Sequence, residues 1–336
     1  MKRRFGIRTL CSAALAVTAF SLSSSLLAAD AVKIGFLVKQ AEEPWFQTEW
    51  AFAEKAAKDK GFELIKIAVP DGEKTLSAID SLAANGAKGF VICPPDVSLG
   101  PAIMAKAKLN DLKVIAVDDR FVDANGKFME DVPYLGMAAF EVGQKQGNAM
   151  VAEAKKRNWD WKDTYAVVNT YNELDTGKKR TDGSVKSLED AGMPKDHILF
   201  AALKTLDVPG SMDATNSALV KLPSAAKNLI IGGMNDNTVL GGVRATEAAG
   251  FAAANVIGIG IGINGTDAIG ELKKPNSGFF GSMLPSPHIE GYKTAEMMYE
   301  WVTTGKEPPK YTAMDDVTLI TRENFKQELE KIGLWN

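Results

Sequence analysis

The polar residues of this chain that could do chemistry come in bursts, each directly behind a short apolar run. KIGFLV is followed by Lys39, Glu43, Trp45 and Phe46, FVIC by Cys93 and two prolines, and VIAV by Asp118, Asp119 and Arg120. AVVNTYNELDT brings Asn172, Asp175 and Thr176, with Arg180 about a helical turn further on. LIIGG leads to Met234, Asn235 and Asp236, and GIGIGI leads to Asn264 and Asp267. The set is rich in carboxylates, planar amides, Lys and Arg, with aromatic rings nearby, and it pairs no nucleophile with a base. Hydroxyl groups donate and accept at once, so carboxylates, amides and guanidinium groups meet them in cooperative networks. Apolar C–H faces suit aromatic rings. A sugar fits this chemistry, with Trp45 and Phe46 at the mouth of a polar pocket.

Each residue also has a plain structural reading. Phe46, Trp50, Ala53 and Ala57 follow helical spacing, so Phe46 could belong to a core. Asp118–Asp119 could cap a helix or close a turn, Asn235–Asp236 could cap the next helix, and Asn264–Gly265 could be a turn. Arg180 could be a solvated neighbour of Lys178 and Lys179. Their joint position favours the functional reading, because open α/β sheets bind ligands beyond the carboxyl ends of their strands.

The elements that would hold them alternate. Strands are expected at 32–38, 62–69, 89–93 and 114–118, with helices at 44–60, 74–84 and 99–109, then a long helix from about 138 to 157. The rhythm restarts with strands at 165–169, 198–203, 228–232 and 256–263 and helices at 177–191, 211–222 and 238–249. A further strand at 278–284, a helix at about 291–304 and a last helix at 324–331 could complete either half. Short apolar strands between amphipathic helices predict two similar α/β domains, each a doubly wound parallel sheet covered on both faces.

The segment Gly260–Gly265 matches G-x-G-x-x-G by letter. A dinucleotide site needs that motif to open the first βαβ unit, with an acidic residue about 20 positions later. Here it falls late in the chain, and Pro285 stands at that distance. Glycines alternating with isoleucine predict instead a strand with one bare face against a close neighbour.

Lys2, Arg3, Arg4 and Arg8 precede an uncharged run of apolar and small residues that ends near Ala29. This is the layout of a cleaved secretory signal, residues 1–29, and predicts export. The 336-residue chain carries a net charge of −3, and loss of the basic signal leaves it more acidic. Nucleic-acid binding, which needs clustered Lys and Arg, is not expected. Cys93 is the one cysteine beyond the signal, so no internal disulfide can form, and with only His197 and His288 a His-based metal or catalytic site is not expected.

The runs KIGFLVKQAEEPWFQTEW, KVIAVDD, NELDT, GMNDNTVLGGVRATE, INGTDA and LPSPHIEGYK closely resemble the sugar-binding members of the type I periplasmic binding proteins, and among them the arabinose binders. The likeness covers essentially all of the chain after the signal. It implies two domains joined by a three-segment hinge, 30–137 with 286–314 and 138–285 with 315–336. It implies a monomer without metal or cofactor that closes on L-arabinose, and on D-galactose and D-fucose, and delivers the sugar in the periplasm to the membrane subunits of an ABC importer. The implied ligand shell begins with Lys39, Glu43, Trp45, Phe46, Cys93, Asp118 and Asp119. It continues with Met137, Leu174, Thr176, Arg180, Met234, Asn235 and Asn264. In it, Lys39 and Arg180 donate to ring or hydroxyl oxygens, and Asp119 accepts from the anomeric hydroxyl. Glu43, Asn235 and Asn264 take the other hydroxyls, while Met137 and Trp45 shape the wall beside C5.

Two departures from the family pattern stand out. GIGIGING is two residues longer than the usual GIGING, which keeps strand parity but could displace Asn264 or force a bulge. Gly136 replaces a bulkier residue and could loosen the hinge or the pocket wall. Two other classes compete. An exported sugar-acting enzyme would need Asp118 and Glu43 as a carboxylate pair. A transcription regulator would need a DNA-binding headpiece where the signal lies.

Overall fold

Two six-stranded sheets carry the molecule. The computed structural model describes residues 31–336 apart from 264, 287, 332–334 and 336, so the expected signal peptide and Asn264 lie outside the described residues. In the first half, β1 (Lys33–Val38), α1 (Pro44–Lys60), β2 (Glu63–Ala68), α2 (Gly72–Ala84), β3 (Gly89–Ile92), α3 (Gly100–Leu109), β4 (Lys113–Val117) and β5 (Tyr134–Met137) follow in turn. In the second, α4 (Ala139–Lys156), β6 (Thr164–Thr170), α5 (Asp175–Asp190), β7 (Ile198–Ala202), α6 (Val208–Leu219), β8 (Asn228–Gly233), α7 (Asp236–Ala248), β9 (Val256–Ile261), α8 (Gly265–Lys273) and β10 (Phe279–Pro285) repeat the scheme. The chain ends with α9 (Thr294–Thr304), β11 (Thr312–Met314), β12 (Val317–Thr321) and α10 (Phe325–Lys331).

The first sheet has the order β11-β5-β4-β3-β1-β2 and is parallel throughout. The second has the order β12-β10-β9-β8-β6-β7, parallel except for the antiparallel edge pair β10/β12. The chain changes sheets three times: after β5, between β10 and β11, and between β11 and β12. The expected pair of parallel α/β sheets is therefore present, and the late segments divide between them.

Each sheet is buried on both faces, as parallel sheets require. In the first, Ile34, Phe36 and Val91 pack on α1 and α9, while Leu37, Phe90 and Ile92 pack under α2 and α3. Phe36, Phe90 and Phe279 are wholly buried, and truncating one to Ala would cost about 3–5 kcal/mol. α1 starts with Pro44 at its first turn and stops at Gly61, whose φ of 78° lets its N–H return to Ala57 O at 2.9 Å.

Two close approaches fix the second half. Gly143 of α4 and Gly183 of α5 leave no room for a Cβ against the facing backbones of Arg180 and Phe140. This contact sets the height of α5 and thereby of Arg180. On β9, a Cβ at Gly258 would strike Val243, and one at Gly260 would strike Asp236, both on α7. The alternating glycines are thus a bare strand face under a helix, as expected, and not a phosphate loop.

β9 stops at Ile261, Gly262 takes φ 124° and Ile263 φ 52°, and the β9/β10 register shifts between Phe279 and Gly281. Gly136 does not loosen the wall. A Cβ there would collide with the ring and hydroxyl of Tyr134, which occupies the space and donates to Asp118 O at 2.8 Å.

Candidate functional site

The carboxyl ends of the two sheets face one cleft of about 390 Å³. Residues just past β1 and β4 line one side: Lys39, Glu43, Trp45, Phe46, Asp118 and Asp119. Residues past β6 and β8 line the other: Leu174, Thr176, Arg180, Met234 and Asn235. Met137, the last residue of β5, and Pro285, the last of β10, close the hinge side.

Lys39 and Asp119 form a short, largely buried ion pair. Burial works to lower the Lys39 pKa, but the carboxylates of Asp119, which is in direct contact, and Asp118 outweigh it, and the net direction is upward. Lys39 therefore stays a cation at any physiological pH. Its ammonium also stands 5.9 Å from the Phe46 ring centroid. Phe46 packs in the core with Trp50, Ala53 and Ala57, as the helical spacing predicts, and also lines the cleft.

Asp118, the residue after β4, lies in the left-handed region, with φ 61°. This conformation is uncommon for a residue with a side chain, though Asp tolerates it better than most. It turns the carboxylate to accept from Trp45 Nε1 at 3.2 Å, which holds the indole at the cleft wall. Across the cleft, Thr176 Oγ1 donates to Asp119 Oδ1 at 3.3 Å, so the two halves already touch through a hydrogen bond.

Arg180 donates from one terminal nitrogen to Met234 O at 3.1 Å, and among the described residues its buried Nε meets no acceptor. A half-buried guanidinium with a spare donor suits a ligand oxygen. Asn235 caps α7, its side chain accepting from Thr238 N at 3.0 Å in a reciprocal capping box. The structural reading of Asn235 is thus borne out; the cap uses its side-chain oxygen, and the residue also lines the cleft.

Some expected residues stand elsewhere. Cys93 does not line the cleft. It is wholly buried behind Asp119, Sγ at 3.8 Å from Oδ2, and burial pushes its thiol well above the usual range, so it is a neutral backing group. Asp236 is buried under Gly260 and accepts from Ser282 Oγ at 2.6 Å. Asn172 is exposed, and Asp175 pairs with Lys179 on the surface at 2.7 Å. Arg120 turns away into a ring of Phe128, Tyr134 and Tyr311. His197 stacks on Tyr165 and His288 on Tyr292, both away from the cleft lining.

The sequence reading missed Gln40, Leu206, Asp207 and Asn237 in the lining. A signal existed for Asp207. It follows the strand β7 and precedes Val-Pro at a helix start, where its side chain accepts from Gly210 N at 2.8 Å. The end of that strand also points at the cleft.

Two parallel α/β halves, linked by three crossings and lining one polar cleft from both sides, define a bilobal binder of small polar ligands. The family of periplasmic binding proteins and sugar-binding domains of the LacI family matches residues 31–328, and the chain belongs to it. The L-arabinose-binding periplasmic protein of Escherichia coli (strain K12) is 58% identical over 327 residues, 97% of this chain and 98% of that one. The ABC transporter L-arabinose-binding periplasmic protein of Azospirillum brasilense is 40% identical over 333 residues, 99% of this chain and 98% of that one. Among solved structures, a periplasmic ribose ABC transporter protein from Conexibacter woesei superposes with a TM-score of 0.73 at 19% identity, over 90% of this chain and 96% of that one, which shows the shared fold. These proteins are named for binding, and this chain is a substrate-binding protein and not an enzyme.

Proposed function

We propose that this protein binds L-arabinose in the periplasm and delivers it to the membrane subunits of an ABC importer. The observation that carries the reading is the cleft itself. It sets Lys39 and Asp119 against Thr176, Arg180 and Asn235 across a space of about 390 Å³, with a Trp wall fixed by Asp118. The 58% identity to the Escherichia coli L-arabinose-binding periplasmic protein along nearly the whole chain supports the choice of sugar.

In this reading Asp119 accepts from the anomeric hydroxyl, and Lys39 and Arg180 donate to ring or hydroxyl oxygens. Glu43, Asn235 and Asn264 take the remaining hydroxyls. Met137 and Trp45 bound the C5 substituent, where D-galactose and D-fucose differ from L-arabinose, and those sugars bind too. The signal is cleaved after Ala29, and the mature protein works as a monomer. Its domains are residues 30–137 with 286–314 and residues 138–285 with 315–336. Sugar bridging the two halves stabilises the closed state by its greater affinity for that state. A Kd of about 1 μM corresponds to roughly −8 kcal/mol net of ordering costs, which several charge-assisted hydrogen bonds and one stacked ring can supply.

The test is a tryptophan-fluorescence titration of the sugar-stripped mature protein with L-arabinose, D-galactose, D-glucose and D-ribose. Saturable, tight binding of L-arabinose is expected, with D-galactose next. Tighter binding of ribose or glucose overturns the assignment of the sugar. Failure of every monosaccharide overturns the function.

A further inference from the structure

Behind the cleft wall lies a group of acids that sugar recognition does not itself use. Glu49 on α1 and Glu290 in the π-helical turn His288–Lys293 are wholly buried, and their carboxyl oxygens lie with one of Asp118 within 4.8 Å of one another. Among the described residues, no N–H or hydroxyl group donates to either Glu carboxyl. α1 and the π turn are pressed together here, since a Cβ at Gly291 would collide with Glu49 O. Three carboxylates this close, two of them wholly buried, cannot all carry charge.

We propose that Glu49 and Glu290 are positioning residues for the sugar site. As neutral carboxylic acids they donate hydrogen bonds to the Asp118 carboxylate from behind and aim it at Trp45 and the cleft.

The arrangement accounts for the geometry around Asp118. Its backbone sits at φ 61°, its carbonyl accepts from Tyr134, and its carboxylate accepts from Trp45 Nε1. A carboxylate with one indole donor on the cleft side needs donors on its buried side, and the Glu carboxyls are the groups placed there. The charges around the cluster agree. Burial, then Asp118 and Glu290, raise the Glu49 pKa well above the usual carboxyl range against the lowering pull of Lys39. Burial, then Asp118, raise that of Glu290 against Arg180, with Asp119 adding to the rise. Cys93 and Tyr134, the other titratable groups facing the cluster, are themselves raised by burial and stay neutral.

The inference rests on the sugar-binding reading, and the experiment separates the two. Wild type, Glu49→Gln, Glu290→Gln, Glu49→Met and Glu290→Met are compared by L-arabinose titration at neutral pH. Their melting temperatures, without sugar, are measured between about pH 5 and pH 9. A Gln side chain keeps a donor without charge, and Met keeps length without a donor. The Gln variants are expected within about threefold of wild-type affinity, and the Met variants about tenfold weaker. In the folded state both acids hold protons that the unfolded chain has released, so wild-type stability declines as pH rises above the ordinary Glu range. Each Gln variant should flatten that decline.

Gln variants that weaken binding as much as Met, with the wild-type pH slope retained, overturn the proposal. So does a melting temperature that drops on adding a chelator and returns with calcium, which would make the cluster a cation site. If wild type binds no monosaccharide, the sugar-binding reading fails, while the pH slopes still decide the protonation of the cluster.

Discussion

The two halves of the cleft are built on different physical plans. The first half brings charge: Lys39 and Asp119 form a buried pair, and Asp118 stands before two further buried acids. The second half brings helix starts: Asn235 caps α7, Asp207 caps α6, and Thr176 lies in the first turn of α5, with Arg180 as its one cation in the lining. In the first half the recognition groups are held by one another, so removing one leaves its partner buried and unsatisfied. In the second, Arg180, Asp207 and Asn235 are held by backbone groups, and on the proposed reading ligand binding is added to a capping role at Asn235. Substitutions should therefore couple stability to binding in the first half, and allow the two to be separated in the second.

The largest effect is expected from Asp119→Ala. It strands the Lys39 ammonium in a largely buried site, which costs about 3 kcal/mol of folding stability, and it removes the acceptor proposed for the anomeric hydroxyl. Chemical denaturation should show the loss, and titration should show L-arabinose binding abolished. Retention of full stability would mean the first half is not held by its ion pair. Arg180→Met makes the contrast. Among the described residues Arg180 makes a single side-chain bond to protein, to Met234 O, so the melting temperature should change little. Affinity should nonetheless fall by about 2 kcal/mol, some 30-fold, as a charged donor to sugar is lost. A large fall in stability with little change in affinity would reverse the comparison.

The asymmetry was only partly legible in the sequence. Long periodic elements announced themselves: α1 runs Pro44–Lys60 as expected, between a proline and a stopping glycine. Strand-end logic found Lys39, Asp118, Asp119, Thr176, Arg180 and Asn235, because the fold puts all those ends on one cleft. β5, β11 and β12 escaped because they are short, and β11 and β12 are partly exposed edge strands without clean alternation. α8 escaped because GTDAIGELK offers barely two turns beside a glycine-rich stretch. Glu49 and Glu290 were invisible for a different reason. An acid on an amphipathic helix reads as solvated, and only the tertiary approach of α1 and the π turn buries both beside Asp118. The resemblance supplied Met137 and Leu174, whose apolar side chains carry no strand-end signal of their own.

Asn235 sharpens the comparison at a smaller scale. Asn235→Ala removes the capping acceptor and should cost about 1 kcal/mol of stability together with the affinity its amide supplies. Asn235→Asp keeps an acceptor for Thr238 N and keeps the helix start favourable to negative charge. It should hold the melting temperature near wild type while still losing the amide donor to sugar. If the Asp variant binds as tightly as wild type, the amide is not a ligand donor, and the second half contributes through Arg180 and Thr176.

The smallest effect concerns acid. The buried acids of the first half make it less stable as pH rises, whereas Glu271 in the second half acts in the opposite direction. Burial alone would raise the Glu271 pKa, but hydrogen bonds from Lys274 at 2.7 Å and Ser277 at 2.6 Å bring it below the usual value. A carboxyl with a lowered folded pKa contributes stability that is fully present above its unfolded pKa and is lost as pH falls through the folded one. Glu271→Gln should therefore leave the acid side of the stability curve flatter than wild type, while the alkaline decline set by Glu49 and Glu290 stays unchanged. Thermal melts from about pH 3 to pH 6 would measure it. A change in the alkaline limb instead would mean that the two halves do not titrate independently, and that protonation in one is read by the other through the closed cleft.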